Sequence, residues 1–285
     1  MERIPPTSQS RTRAALALGA LLAGSAGVAA DAREFTRSAP RARPVIVPVR
    51  VQGVGPFPFL LDTGADTTVV HTDLARRLRL TPTARIELVT VAGARLVPQA
   101  HVDLAIGETA VGRVEVLIHD LAAARAHDGR IAGILGRNAL GSAPFTIDHE
   151  RGRLVLGTSA PRGAVRYDDR DGRPVIDARL RCGGPPLRLA LDSGLNGLIL
   201  FERARAWPVV TSGRVAALTN AGTAWLRTGR VESLCVGRAR LLDLPVAVQG
   251  GAGADGRPED GLLPTGLFAR VHVDPRAKTV TLEPW

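Results

Sequence analysis

The sequence predicts a mainly β protein built from two related halves, and three observations carry that expectation. Apolar residues alternate in short runs, as in Val45, Val47, Val49 and Val51, and again through Val175, Ile176, Ala178, Leu180 and Cys182. Period two is the spacing of a strand with one buried face. The 31 glycines and 20 prolines are scattered along the 285 residues, so they cut the chain into many short segments. Finally, Leu60-Leu61-Asp62-Thr63-Gly64 returns 130 residues later as Ala190-Leu191-Asp192-Ser193-Gly194.

The register between the copies holds well beyond the motif. Pro44-Val45-Ile46 matches Pro174-Val175-Ile176, Gly53 matches Gly183, and Pro56 matches Pro186. Each Asp stands on a loop between two apolar strands, the second being Thr68-Val69-Val70 or Leu198-Ile199-Leu200. Thr72 is expected to cap a short helix with Leu74 and Leu78 one turn apart, with Glu202 to Trp207 as a weaker counterpart. Hairpin tips follow at Thr90-Val91-Ala92-Gly93 and Thr219-Asn220-Ala221-Gly222. Ala132-Gly133-Ile134-Leu135-Gly136-Arg137-Asn138 then pairs with Asp260-Gly261-Leu262-Leu263-Pro264-Thr265-Gly266. Two long copies make a duplicated domain rather than a repeat array. The organisation expected is a leader over 1–30, a linker over 31–43, and halves over 44–160 and 161–285.

Arg3, Arg11 and Arg13 precede an uncharged Ala/Leu/Gly-rich stretch from Ala14 to Ala30 that ends in small residues. That is the pattern of a cleaved export signal, and the stretch is short and weakly apolar for a membrane span. Without a cysteine near the cleavage region, export to a bacterial periplasm is expected, with an uncleaved membrane anchor as the alternative. The net charge of +10 is spread through both halves as arginine, with Lys278 the one lysine, so it marks no nucleic-acid surface. Cys182 and Cys235 are the two cysteines, read either as one disulfide of an exported protein or as two buried thiols on neighbouring strands. The six histidines lack metal-ligand spacing, so no metal and no cofactor is expected. Ser193 follows an Asp and lacks a nucleophile-elbow context. Trp207 and Trp225 read as core or cleft residues.

Asp62-Thr63-Gly64-Ala65-Asp66 with Ile134-Leu135-Gly136-Arg137-Asn138, followed by the second copy, resembles the aspartic proteases of the retropepsin and pepsin type. The resemblance implies two pseudo-dyad-related closed β-barrel lobes of acid-protease type with a few short helices. It implies that Asp62 and Asp192 meet as the catalytic pair, sharing one proton because adjacent carboxyl groups cannot both ionise. Thr63 and Ser193 then correspond to hydroxyls that lock the two loops together, and Gly64 and Gly194 to glycines of the tight turn. Gly93 and Gly222 match the tips of flaps over an extended peptide. Asp66 and Arg137 match a structural ion pair, and their counterparts Asn196 and Thr265 lose both charges together.

The second copy departs from the pattern at Leu195, where a small residue is usual, and at Pro264, which replaces a glycine. Two readings follow: an aspartic endopeptidase acting on a peptide or protein substrate as a monomer, or a catalytically degenerate peptide-binding module whose second loop is displaced. Neither Ala65 nor Leu195 can donate a side-chain hydrogen bond to its carboxylate, so a milder pH optimum than that of pepsins is expected. The linker, the leader and the charge distribution suggest no nucleic acid and no stable membrane partner.

Overall fold

The computed structural model describes residues 13–15, 21–23, 44–90, 93–158, 161–170, 172–202, 207–219, 222–251 and 257–285. The expected linker over 31–43, most of the leader, and the core of the helix expected at Glu202 to Trp207 lie outside the described residues. Two short strands, β1 (Arg13–Ala15) and β2 (Leu21–Ala23), come first. The first half then runs β3 (Ile46–Val51), β4 (Val54–Leu61), β5 (Thr68–His71), α1 (Thr72–Arg77), β6 (Ala84–Thr90), β7 (Gly93–Ile106), β8 (Thr109–His119), α2 (Ala122–His127), β9 (Gly133–Leu135), α3 (Arg137–Leu140), β10 (Phe145–Asp148) and β11 (Arg153–Leu156). The second runs β12 (Val165–Arg166), β13 (Asp168–Arg170), β14 (Arg173–Arg179), β15 (Leu187–Asp192), β16 (Leu198–Phe201), β17 (Val210–Thr219), β18 (Gly222–Val236), β19 (Ala239–Gln249), β20 (Gly261–Pro264), a 3-10 turn at Thr265–Leu267, β21 (Arg270–Asp274) and β22 (Thr279–Glu283).

Six strands of the first half pair in the ring β7-β3-β4-β9-β5-β8, which closes through β7 against β8. Alternation builds this barrel: Val47, Val49 and Val51 are buried while Pro48 is exposed between them. The second half repeats the same order of pairings as β18-β14-β15-β20-β16-β19, returning to β18. Its joint between β14 and β18 is short, with Ala178 opposite Val236 and Arg179 opposite Cys235. Beside that joint, Cys182 and Cys235 form a disulfide with Cα atoms 5.5 Å apart, which resolves the two cysteine readings in favour of a bond.

The register at the motif is the same in both halves. Phe59, Leu60 and Leu61 pair in parallel with Gly133, Ile134 and Leu135, and Leu189, Ala190 and Leu191 with Gly261, Leu262 and Leu263. A five-stranded sheet, β11-β10-β21-β22-β12, joins the halves through Phe145 opposite Val273 and Ile147 opposite Val271. One apolar core runs through both, with Val45, Phe59 and Ile147 in the same cluster as Ile176, Leu200 and Val273. The expected helix after the first loop forms, but its cap is His71 rather than Thr72: His71 Nδ1 accepts from the Asp73 amide at 3.1 Å and Thr72 is the first helical residue. A ring nitrogen takes the place of the more usual cap oxygen.

Candidate active site

Asp62 and Asp192 are both almost fully buried, each at the loop leaving an apolar strand. The first loop turns back on its own carboxylate: Gly64 N and Ala65 N donate to Asp62 Oδ1 at 2.9 and 3.1 Å. In the second, Gly194 N donates to Asp192 Oδ1 at 2.8 Å. A Cβ built on Gly194 would stand 2.8 Å from Asp62 Cγ, so that glycine is needed for the close approach of the two loops. Gly194 does not have a positive φ, so what the turn uses is the glycine's missing side chain.

Thr63 and Ser193 exchange hydrogen bonds across the junction. Thr63 N donates to Ser193 Oγ at 3.0 Å, and Ser193 N to Thr63 Oγ1 at 3.0 Å. Each hydroxyl then donates onward to a backbone carbonyl of the other half, Ser193 Oγ to Leu61 O at 3.0 Å and Thr63 Oγ1 to Leu191 O at 3.3 Å. All four bonds are buried, where an unmet donor would cost about 1–3 kcal/mol, so the loops hold each other in a single arrangement.

Asp192 Oδ2 is buried and accepts no hydrogen bond among the described residues. Burial pushes the Asp192 carboxyl well above its usual range, and the neighbouring Asp62 carboxyl pushes it the same way. Neighbouring like charges each raise the other's proton affinity. A proton on the Asp192 carboxyl gives the pair one donor, so that it can hydrogen-bond the Asp62 carboxyl instead of opposing it. Opposing this, the Gly194 amide and the cation of Arg173 favour the charged form of Asp192.

Asp66 and Arg137 form the ion pair the motif implies. Arg137 also donates from Nη1 to Thr63 O at 2.9 Å, which ties the pair to the loop lock. The Arg137 and Asn138 amides complete the brace by donating to Ala65 O and Asp66 O at 2.9 and 3.2 Å.

The departures in the second half are compensated locally. Leu195 is buried among Val175, Ala190, Ile199, Phe201, Leu226, Ala247 and Leu262. The matching cluster in the first half has Ala65 against Leu60 and Leu117. Thus the bulk gained at Leu195 enters space that Ala190 and Ala247 leave where the first half has Leu60 and Leu117. Pro264 has a similar account. In the first half Gly136 N donates to Thr68 Oγ1 at 3.1 Å, and a Cβ on Gly136 would meet Thr67 backbone carbon at 2.7 Å. Pro264 has no N–H to donate, and Leu198 stands at the position of Thr68 with no hydroxyl to accept. Donor and acceptor disappear together, which leaves no buried group unmet. Beside Leu195 and Pro264, Ser193 keeps its bonds to Thr63 and Leu61.

Sequence reasoning missed a buried ion network. Arg173 Nη1 and Arg257 Nη1 lie 3.2 and 3.3 Å from Glu259 Oε1, and Arg257 stacks over Phe201 at 4.7 Å from the ring centroid. Glu259 stands where the first half has the buried apolar Ile131, and nothing in a chain with 27 acidic residues marks it as the buried one. A cavity of about 540 Å³ is lined by Thr63, Asp66, Arg137, Tyr167, Leu191 and Thr265. Burial there, reinforced by the nearby Asp169 charge, pushes the Tyr167 phenol up to about 12.

The hairpins form where expected. Thr90 pairs with Gly93 and Thr219 with Gly222, so each glycine opens the outgoing strand; the residues between lie outside the described ones. Ile86, Leu88 and Val97 of the first hairpin pack in one cluster with Leu60 and Ala65 beside Asp62. Leu226 of the second packs with Ala190 and Leu195 beside Asp192. Each hairpin therefore rests on its own carboxylate loop. Trp225 is 61% exposed and so is not a core residue, while Trp207 is half-buried against the core and donates to Phe201 O at 3.0 Å. Among the described residues no group of three His, Cys, Asp or Glu could hold a metal, and no helix is long and apolar enough to cross a membrane.

In the comparison with known families, residues 47–139 match the family model described as aspartyl protease. The match runs from β3 into α3 and takes in Asp62, Asp66 and Arg137. No curated protein matches the chain.

Proposed function

We propose that the protein is an aspartic endopeptidase, with one catalytic carboxyl from each half of a duplicated chain. The observation that supports the reading is the reciprocal Thr63–Ser193 lock between the two loops, together with a buried Asp192 carboxyl that the Asp62 carboxyl pushes up. Asp62, with two amide donors, suits the ionised role. It takes a proton from a water as that water attacks a peptide carbonyl. Asp192, protonated, donates to the carbonyl oxygen as the tetrahedral intermediate forms. Collapse of the intermediate breaks the C–N bond: the proton gained by Asp62 passes to the departing amine, and a hydroxyl proton of the intermediate returns to Asp192. The hairpins with tips next to Gly93 and Gly222 would cover the peptide and exclude water.

Burial and the like charge both raise Asp192, which favours activity at mildly acidic rather than strongly acidic pH. The leader composition supports export, with the halves from residue 44 onward acting as a monomer in the periplasm. The test is hydrolysis of a denatured protein and of a peptide library between pH 3 and 8 by the wild type, Asp62→Asn and Asp192→Asn. Loss in both variants is the expected result. Persistence in Asp192→Asn would assign the second half a scaffolding role. An inactive wild type that still binds peptide would make the protein a binding module, and a maximum near pH 2 would sink the pH argument.

A further inference from the structure

Three charged side chains are buried in the second half, and their charges do not cancel. Arg173 and Arg257 share one carboxylate, with their Nη1 atoms 3.2 and 3.3 Å from the same Glu259 Oε1. Glu259 is 1% exposed and Arg173 7%. Two cations on one anion leave a single positive charge where little water can screen it. Such a charge is costly unless one of opposite sign stands near.

Strand register points to Asp192 as that neighbour. β14 and β15 run antiparallel with Val175 opposite Ala190, and both side chains belong to the apolar cluster of Leu195 and Phe201. Stepping on by two residues in each strand, which keeps the same face, leads to Arg173 on one and Asp192 on the other. Arg257 joins the same cluster through the Phe201 ring that its guanidinium covers. Against burial and the Asp62 carboxyl, Arg173 favours the charged form of Asp192, and against burial the Glu259 and Asp192 charges favour the Arg257 cation. Arg137, which faces Asp62, is paired with Asp66, and Glu202 just after β16 is paired with Arg227 of β18, so these add no net charge. What is left over is the one positive charge of the network, and it matches the one negative charge of a carboxyl pair that holds one proton. In the first half the position of Glu259 is the apolar Ile131, so the network belongs to the Asp192 side alone.

We infer that Arg173, Arg257 and Glu259 are positioning residues of the reaction proposed above, a built-in counterion that stabilises the negative charge when it passes from Asp62 to Asp192. The inference rests on that reading of the carboxyl pair. As the water attacks, its O–H bond breaks toward Asp62, the Asp192 O–H bond breaks toward the carbonyl oxygen, and a C–O bond forms. Asp62 becomes neutral and Asp192 becomes the carboxylate, so the charge of the pair is unchanged and only its place moves. A fixed cation beside Asp192 stabilises the state after the transfer more than the state before it, and only a difference of that kind lowers a barrier. Glu259 tempers the effect, since two uncompensated guanidinium groups would favour ionised Asp192 before any substrate is bound.

The test is the pH profile of kcat and KM for peptide hydrolysis by the full chain carrying Arg173→Gln, Glu259→Gln, or both. Arg173→Gln removes the surplus charge: kcat should fall about tenfold with KM unchanged, and the alkaline limb should move up by about one pH unit because Asp192 holds its proton more firmly. Glu259→Gln doubles the surplus, and its limb should move down by about the same amount. The double variant keeps one positive charge on Arg257, and Arg173→Lys keeps the original balance, so both should return to the wild-type limb. Loss of packing alone has no such sign. Should one single variant fail to fold, the other still carries a shift of fixed direction. Carbon-13 NMR titration of the aspartate carboxyls reads the same shifts without turnover. Limbs and titrations that stay in place, or that move the same way in both single variants, would overturn the inference while hydrolysis that still depends on Asp62 and Asp192 leaves the carboxyl pair standing. Opposite titration shifts in a protein that hydrolyses nothing would keep the network as counterion of the pair and sink the endopeptidase.

Discussion

The loop of Asp62 and the loop of Asp192 share a backbone path and differ in almost everything around it. The first is held by polar contacts: two amides on the carboxylate, the Asp66–Arg137 pair, and a Thr68 hydroxyl under Gly136. The second leans on packing, with Leu195, Leu198 and Pro264 at the matching places, while the Gly194 amide on Asp192 and the Ser193 lock are its polar contacts. What stays equal is the set of bonds that crosses between the halves. Each half can change its private scaffolding if donors leave with their acceptors and added volume is matched by removed volume. The shared lock has no such freedom, because each half supplies the other's partner.

The sharpest way to break that comparison is to remove one carboxyl at a time. Asp62→Asn and Asp192→Asn should each lower the turnover of a peptide by about 10²- to 10⁴-fold, the range for loss of a general acid or base. Near-equal losses would mean that the two differently built loops do equivalent work. The packing account predicts an effect of similar weight on stability rather than on chemistry. Leu195→Ala should destabilise by about 2–5 kcal/mol in urea unfolding, because it opens a cavity in a fully buried cluster. Adding Ala190→Leu should recover most of that loss, returning the second loop to the Leu60 and Ala65 arrangement of the first. No recovery in the double variant would mean that volume exchange is not what compensates Leu195.

Next in size is the disulfide. The first barrel closes between β3 and β7 over Val49, Arg50 and Val51, whereas the second has the two-pair contact of β14 with β18 and the bond beside it. Closing 53 residues of sequence separation stabilises by about 4 kcal/mol in the chain-entropy model, so Cys182→Ala with Cys235→Ala should cost about 2–4 kcal/mol. Amide exchange should rise in β14 and β18 while β3 and β7 stay protected. Uniform loosening of both barrels would refute the idea that the bond stands in for a short strand joint.

Much of this difference was legible before any coordinates. The repeated motif set the register, and the register placed the hairpin tips, the Asp66–Arg137 pair and the losses at Asn196 and Thr265. Even the compensation for Leu195 stood partly in view, since Ala190 sits in the copied motif opposite Leu60. Its third member, Ala247 in place of Leu117, lies far along the chain and becomes a neighbour only through the parallel pairing of β16 with β19. The junction of β10 with β21 was hidden for the same reason: each strand's apolar pattern accepts many partners. The buried Arg173–Glu259–Arg257 network left no trace either, because burial of a charge depends on what surrounds it, and periodicity reports only apolar faces.

The smallest effect concerns the proton that separates the two loops. Burial and the Asp62 carboxyl raise Asp192 well above the value it has in the unfolded chain. Between those two values the folded protein holds a proton that the unfolded chain has already released. Stability must therefore fall as pH rises from the ordinary carboxylate range through the raised value, with a slope of at most about 1.4 kcal/mol per pH unit for one proton. Asn cannot ionise, so Asp192→Asn should flatten that slope and gain on the wild type as pH increases, measured by urea unfolding at steps from pH 4 to 8. Asp62→Asn removes the like charge that is the second cause and leaves burial, the first, in place. Its slope should survive at lower amplitude. If the two variants exchanged these behaviours, the proton would reside on Asp62, and the assignment of acid and base to the two loops would have to be reversed.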